Sequence, residues 1–160
     1  MRSGCVTRRK GRWTMRFWDS SAIIPLCIEE PHSETMRLLA HDDGELAFWW
    51  GTPVECSSSF ARLRREGALS ADDEQQVRHL VDQLAQCGTE ISPSEEVRAT
   101  ARRLLLRHPL RAADTLQLAA ALVWSANKPE DLGFVCLDKR LRDAARIEGF
   151  TLFPQEQPSV

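Results

Sequence analysis

Short apolar runs alternate along this chain with longer segments in which apolar residues recur every three or four positions, the patterns of strand and helix respectively. The strand candidates are 15–19 (MRFWD), 46–50 (LAFWW), the weaker 89–92, 134–138 (FVCLD) and 151–153. Between them the helical pattern predicts 20–27, bent or ended near Pro25, and 31–43, with Met36, Leu38, Leu39 and Ala40 on its apolar side. Further helices are expected at 52–67 and 70–87, after Ser92 as far as Arg107, at 111–126 and at 141–149. Local punctuation supports these boundaries. Thr52-Pro53-Val54-Glu55 reads as N-cap, proline at N1 and glutamate at N3, and Ser92-Pro93-Ser94-Glu95 repeats that logic. Asp72, Asp73 and Glu74 place acid in a first turn, His108-Pro109 breaks the chain, and Gly149 closes a helix at C′. The segment 111–126 is almost wholly apolar, which predicts a helix buried on most sides. Strands alternating with helices predict an α/β three-layer sandwich with a mainly parallel central sheet. There is no internal repeat, linker or low-complexity stretch.

Composition narrows the class. With 160 residues, 42% hydrophobic and 28% charged, the chain can bury one core, and it is neither disordered nor a disulfide scaffold. The expected organisation is one domain over 15–153, with tails at 1–14 and 154–160. The net charge of −2 conceals an asymmetry, since Arg2, Arg8, Arg9, Lys10 and Arg12 precede Met15 with no acid among them. Taking these five from 21 basic residues leaves 16 against 23 acids, or −7, for the remainder. The first fourteen residues are therefore expected to be a disordered basic tail or the product of a misplaced start. So acidic a body is a poor general coat for nucleic acid, and any such role must be local and metal-assisted. Five dispersed cysteines without a C-x-x-C suggest core thiols in a reducing cytoplasm. No apolar run reaches membrane-spanning length, so no membrane partner is expected. The four histidines are scattered and read as surface or loop residues. Nucleophile-elbow and P-loop motifs are absent. The tryptophans read mainly as core.

The chemistry concentrates in acids. Asp19 and Asp138 each end a predicted strand and begin a helix, so both can cap a helix or project into the crevice at the carboxyl edge of a parallel sheet. Asp114 is the one acid in an apolar helix, where burial costs several kcal/mol and the helix dipole returns only about 0.3–1 kcal/mol. A partner is required, either Arg111 or a metal. Glu55 has a capping role open to it. Four acids at strand ends or in first turns suggest oxygen ligation of Mg²⁺ or Mn²⁺. Arg98, Arg102, Arg103 and Arg107 form the densest basic run of the body, serving either as a solvated face paired to Glu95 or Glu96 or as a grip on RNA phosphates.

The ordered segments FWDSSAII, PVECSSSFARLRRE, RAADTLQLAAAL and FVCLDKRLRDAARIEGF resemble the PIN domain, specifically the VapC-type toxins of bacterial toxin–antitoxin pairs. The resemblance spans 15–153. It implies that Asp19, Glu55, Asp114 and Asp138 form the catalytic metal cluster, with Ser20 as a supporting hydroxyl. It further implies a Mg²⁺- or Mn²⁺-dependent endoribonuclease that hydrolyses RNA phosphodiesters to leave a 5′-phosphate, working as a cytoplasmic homodimer held in check by a cognate antitoxin. Two other readings remain: a catalytically silent scaffold of the same fold, and a phospho-accepting signalling module, whose expected paired acid and late lysine are poorly matched here.

Overall fold

The computed structural model describes residues 14–155. The expected tails therefore lie outside the described residues, except for Thr14, Pro154 and Gln155. Five strands and seven helices follow one another as β1 (Arg16–Trp18), α1 (Ser20–Cys27), α2 (Ser33–Asp43), β2 (Leu46–Trp49), α3 (Thr52–Arg65), α4 (Ala71–Cys87), β3 (Thr89–Ile91), α5 (Glu95–Leu105), α6 (Ala112–Trp124), β4 (Gly133–Val135), α7 (Lys139–Glu148) and β5 (Thr151–Phe153). The sheet is parallel throughout, in the order β3-β2-β1-β4-β5.

That order follows from how the strands cover both faces. In β2, Leu46 and Phe48 point into a core with Ala22, Ile23, Met36, Cys56, Phe60, Val77 and Val81 from α1 to α4. Ala47 and Trp49 point the other way, into a core with residues of α5, α6 and α7. β1 divides likewise, Phe17 facing α5–α7 and Trp18 facing α1–α4. Strands buried on both faces read as continuous apolar runs rather than alternating ones. The result is the three-layer α/β sandwich. The chain winds outward from β1 to β3, then returns across the other face to begin again at β4, so the winding reverses between β1 and β4. This is the position at which open parallel sheets form a ligand crevice at their carboxyl edge.

Several polar ties lock this frame. Arg16 Nη1 donates to Asp43 Oδ1 at 2.6 Å and Trp18 Nε1 to Asp43 Oδ2 at 2.8 Å, fastening β1 to the end of α2. Burial pushes the Asp43 carboxyl up to about 6, against the opposing pull of Trp18 and Arg16. Arg142 in α7 donates to the carbonyls of Cys136, Phe153 and Pro154, holding the ends of β4 and β5. Gly133 at the start of β4 is required by packing, since a Cβ there would lie 2.7 Å from Arg16 Cγ.

Some local readings are corrected. Leu38 is 64% exposed, so only part of the expected apolar side of α2 is buried. α5 is capped by Ser94, whose hydroxyl accepts from Val97 N–H; Ser92 is not its cap. A full capping box instead opens α4, between Ser70 and Asp73. The helix expected over 20–27 is present with those bounds, Pro25 lying inside α1 two residues before its end. His108 is a buried residue, its Nε2 2.6 Å from Glu148 Oε1, where the tie joins the end of α5 to α7. Cys56 and Cys136 are core residues, but Cys87 is exposed. Trp50 is also exposed, at 53%.

Candidate metal centre

Asp19 follows β1 directly and sits where the winding reverses. Its Oδ2 accepts from Ser21 N–H at 3.0 Å, so it does cap α1. The cap accounts for only half of the carboxylate. Asp19 is 3% exposed, and its Oδ1 is buried without a hydrogen-bond partner among the described residues. Burial pushes its pKa up to about 6, with the nearby Asp114 charge adding to the rise and the hydrogen bonds from Ser21 and Ser20 opposing it. A buried acceptor with no donor is costly, and it marks a position where a cation or a donated proton would be favoured.

Glu55 comes from the first turn of α3, but not as a cap. Gly51 is the N-cap residue and makes no side-chain bond, while Thr52 is buried within the helix. The expected capping box is replaced by tertiary hydrogen bonds. Ser20 Oγ donates to Glu55 Oε2 at 3.0 Å, and Gln117 Nε2 donates both to Glu55 Oε1 at 3.0 Å and to Thr52 Oγ1 at 2.9 Å. Desolvation, followed by the charge of Asp19, pushes the Glu55 pKa up to about 7, while Gln117 and Ser20 pull it down. Gln117 is fully buried in α6 and its own Oε1 has no partner among the described residues. Sequence reasoning missed both Gln117 and the role of Thr52. The available signal was an amide in an otherwise apolar run, three residues after Asp114 and so on its face of the helix.

Asp114 lies in the first turn of α6 and Asp138 caps α7 by accepting from Leu141 N–H at 2.9 Å. The Asp114 carboxyl is shifted upward by desolvation and by Asp138, and held down by Arg111 and Arg140. Arg111 thus influences Asp114 as expected, but through space, without an ion pair. The two acids share an open cleft of about 530 Å³ lined by Arg111, Ala113, Asp114, Asp138, Lys139 and Arg140. The buried Cys136 lies beside Asp19, its thiol 3.7 Å from Asp19 Oδ2 and accepting from the Ser21 hydroxyl at 3.6 Å.

The four predicted acids thus come from four helix starts and act on one another: Asp19 on Glu55, Asp114 on both, and Asp138 on Asp114. They do not make a tight cage. Among the described residues, no three His, Cys, Asp or Glu side chains converge closely enough to hold one ion. The donor set still fits a hard divalent cation, since it is all oxygen and includes an orphaned buried carboxylate atom. Such a cation would take few direct carboxylates and complete its shell with water, the habit of Mg²⁺. The arginines on and just after α5 are partly committed elsewhere, with Arg98 paired to Glu95 at 2.6 Å and Arg107 to Glu148 at 3.2 Å. Arg102 and Arg103 are exposed.

Comparison with known proteins supports the fold. The chain is similar to the crystal structure of PAE2754 from Pyrobaculum aerophilum, at 18% identity over 87% of this chain and 89% of that one, with a TM-score of 0.53. No protein-family profile and no curated protein matches it. At that identity, the likeness speaks to architecture alone, and the chemistry must be argued from the side chains.

Proposed function

We propose that this protein is a Mg²⁺- or Mn²⁺-dependent endoribonuclease of the PIN type, and the toxin of a toxin–antitoxin pair. The observation carrying the nuclease part is the buried, half-unpartnered carboxylate of Asp19 at the reversal of the sheet, with Glu55 and Asp114 within electrostatic reach of it and Asp138 within reach of Asp114. Carboxylates whose pKa values are raised first by burial and then by one another's charge favour a cation that offsets both. Asp19, Asp114 and Asp138 would hold that cation, with Glu55 as the outer member. When bound, a divalent ion neutralises charge on a phosphodiester and lowers the pKa of water. Glu55, with both oxygens hydrogen-bonded and a pKa near 7, can accept a proton from water at neutral pH and release it again. Ser20 and Gln117 keep its carboxylate plane fixed while it does so. Attack of water on phosphorus would expel the 3′ oxygen and leave a 5′-phosphate.

The toxin assignment, the cytoplasmic homodimer and the antitoxin partner rest on the sequence resemblance. Among the described residues, no helix is long and apolar enough to cross a membrane. The decisive test is cleavage of RNA by the purified protein. Activity should require Mg²⁺ or Mn²⁺ and should vanish in Asp19→Asn and Asp138→Asn variants that still fold. Full activity of either variant in Mg²⁺ would remove the metal-site reading. Co-expression with the neighbouring open reading frame tests the toxin part separately, through complex formation and relief of growth inhibition.

A further inference from the structure

The densest basic run of the sequence is not the most exceptional one in the structure. Arg111 occupies the N-cap position of α6 without a side-chain cap bond, and Lys139 and Arg140 open α7 immediately after its cap, Asp138. A helix N-terminus carries partial positive charge, so cations there are locally unfavourable by about 0.3–1 kcal/mol each. All three are exposed, and among the described residues none makes an ion pair within 4.0 Å. Helix stability does not explain them, and the charge interaction they do make, of Arg111 and Arg140 with Asp114, lies in the cleft itself. What they have in common is the cleft, whose walls carry three cations against the two acids Asp114 and Asp138. Arg98 and Arg107, by contrast, already have carboxylate partners.

We infer that Arg111, Lys139 and Arg140 form the phosphate-binding rim of the acidic cleft, gripping the RNA backbone beside the carboxylates, while the α5 arginines serve chiefly as a solvated face. This rests on the endoribonuclease reading and adds where the strand is held. Guanidinium and ammonium groups bind phosphate oxygens by charge-assisted hydrogen bonds, and Arg can do so with two at once. In a body of net charge −7, a local cationic rim also lets a polyanion approach carboxylates that would otherwise repel it. The basic rim and the acids thus have complementary tasks, one for the backbone and one for the reacting phosphate.

The test is binding of a fluorescein-labelled single-stranded RNA, followed by anisotropy over a range of KCl in EDTA, so that nothing is cut. In Arg111→Gln/Lys139→Gln/Arg140→Gln, affinity should fall about tenfold or more at low salt, and the log–log salt slope should shrink by about 2, at roughly 0.7 per lost contact on a single strand. Arg102→Gln/Arg103→Gln should leave the slope within about half a unit of wild type. The change Arg111→Lys/Arg140→Lys, which preserves charge, should retain most of the slope, and this separates lost grip from lost folding. An unaltered slope in the triple variant, or a loss confined to the α5 variant, overturns the inference while leaving the nuclease intact. If wild-type protein binds RNA with the predicted dependence on the rim yet never cuts it in Mg²⁺ or Mn²⁺, the nuclease reading fails and the rim stands. If wild-type protein does not bind RNA at all, the rim falls as well.

Discussion

Replacing Asp19 by Asn should make the metal-free protein more stable, and the size of the effect can be worked from its surroundings. The Asp19 pKa stands at about 6 in the fold against 3.8 for the free side chain, an upward shift of roughly two units, or about 3 kcal/mol at about 1.4 kcal/mol per unit. Because the folded value is the higher one, the native state holds the proton more tightly than the unfolded chain. Stability therefore falls as pH rises through the interval from about 4 to about 6, and the full cost is present above it. Asparagine has no charge to desolvate, and its carbonyl can still accept from Ser21 N–H. Its amide group, however, would stand where Oδ1 lacks a partner, and an unsatisfied buried donor costs about 1–2 kcal/mol. The net gain at pH 8 is about 1–2 kcal/mol, or roughly 3–6 °C in melting temperature for a chain of this size.

Thermal melts in EDTA at pH 8 and pH 4 measure this directly, and the advantage of the variant should disappear at the lower pH. Adding Mg²⁺ or Mn²⁺ then reverses the order. A ligand at a hundred times its dissociation constant stabilises the native state by about 2.7 kcal/mol, a gain open to the wild type and largely closed to the variant. If the variant is equally or less stable at pH 8 and shows the same cation-induced rise, Asp19 is no more than a helix cap, and the case for a metal centre at the sheet reversal collapses.

Two further changes test the supports of the site and of the frame. Gln117→Leu removes a donor from Glu55 and so should raise its pKa above about 7, moving the acidic limb of the pH–rate profile to higher pH; stability should change by less than about 2 kcal/mol, because the unpartnered Gln117 Oε1 is removed too. An unmoved limb would deny Gln117 its hold on Glu55. Asp43→Ala strands Arg16, whose side chain is only 12% exposed, and should cost about 3–5 kcal/mol in urea denaturation, whereas Arg16→Met/Asp43→Leu should recover most of that loss.

The architecture was legible because its strands are short, apolar and bounded by turn residues, and because burial on both faces erases the alternation that would have suggested an antiparallel sheet. Boundaries moved where a tertiary contact overrode a local preference. β4 begins one residue early, at Gly133, because that residue pairs with Thr151 of β5. Thr52 fits the sequence rule for a cap, but the hydrogen bond from Gln117 in α6, 65 residues away, uses its hydroxyl instead. No local rule registers so distant a partner.

The candidate site divides along the same line. Acids at strand ends are visible one at a time, since each lies at the junction of two local patterns. Their convergence depends on the strand order, and that depends on which face each crossover helix covers. Gln117 escaped notice because its value is relational: an uncharged amide gains a role only once Glu55 and Thr52 are known to lie within 3.0 Å of it. For the basic residues, density along the chain is a separate matter from availability. The four arginines on and just after α5 outnumber the three rim cations, yet two of them are paired with Glu95 and with Glu148 on α7. An exposed pair such as Arg98–Glu95 holds its partner only weakly, so the salt slopes of the two sets of variants, and not density along the chain, decide between the α5 face and the sparser group set against its own helix dipoles beside Asp114 and Asp138.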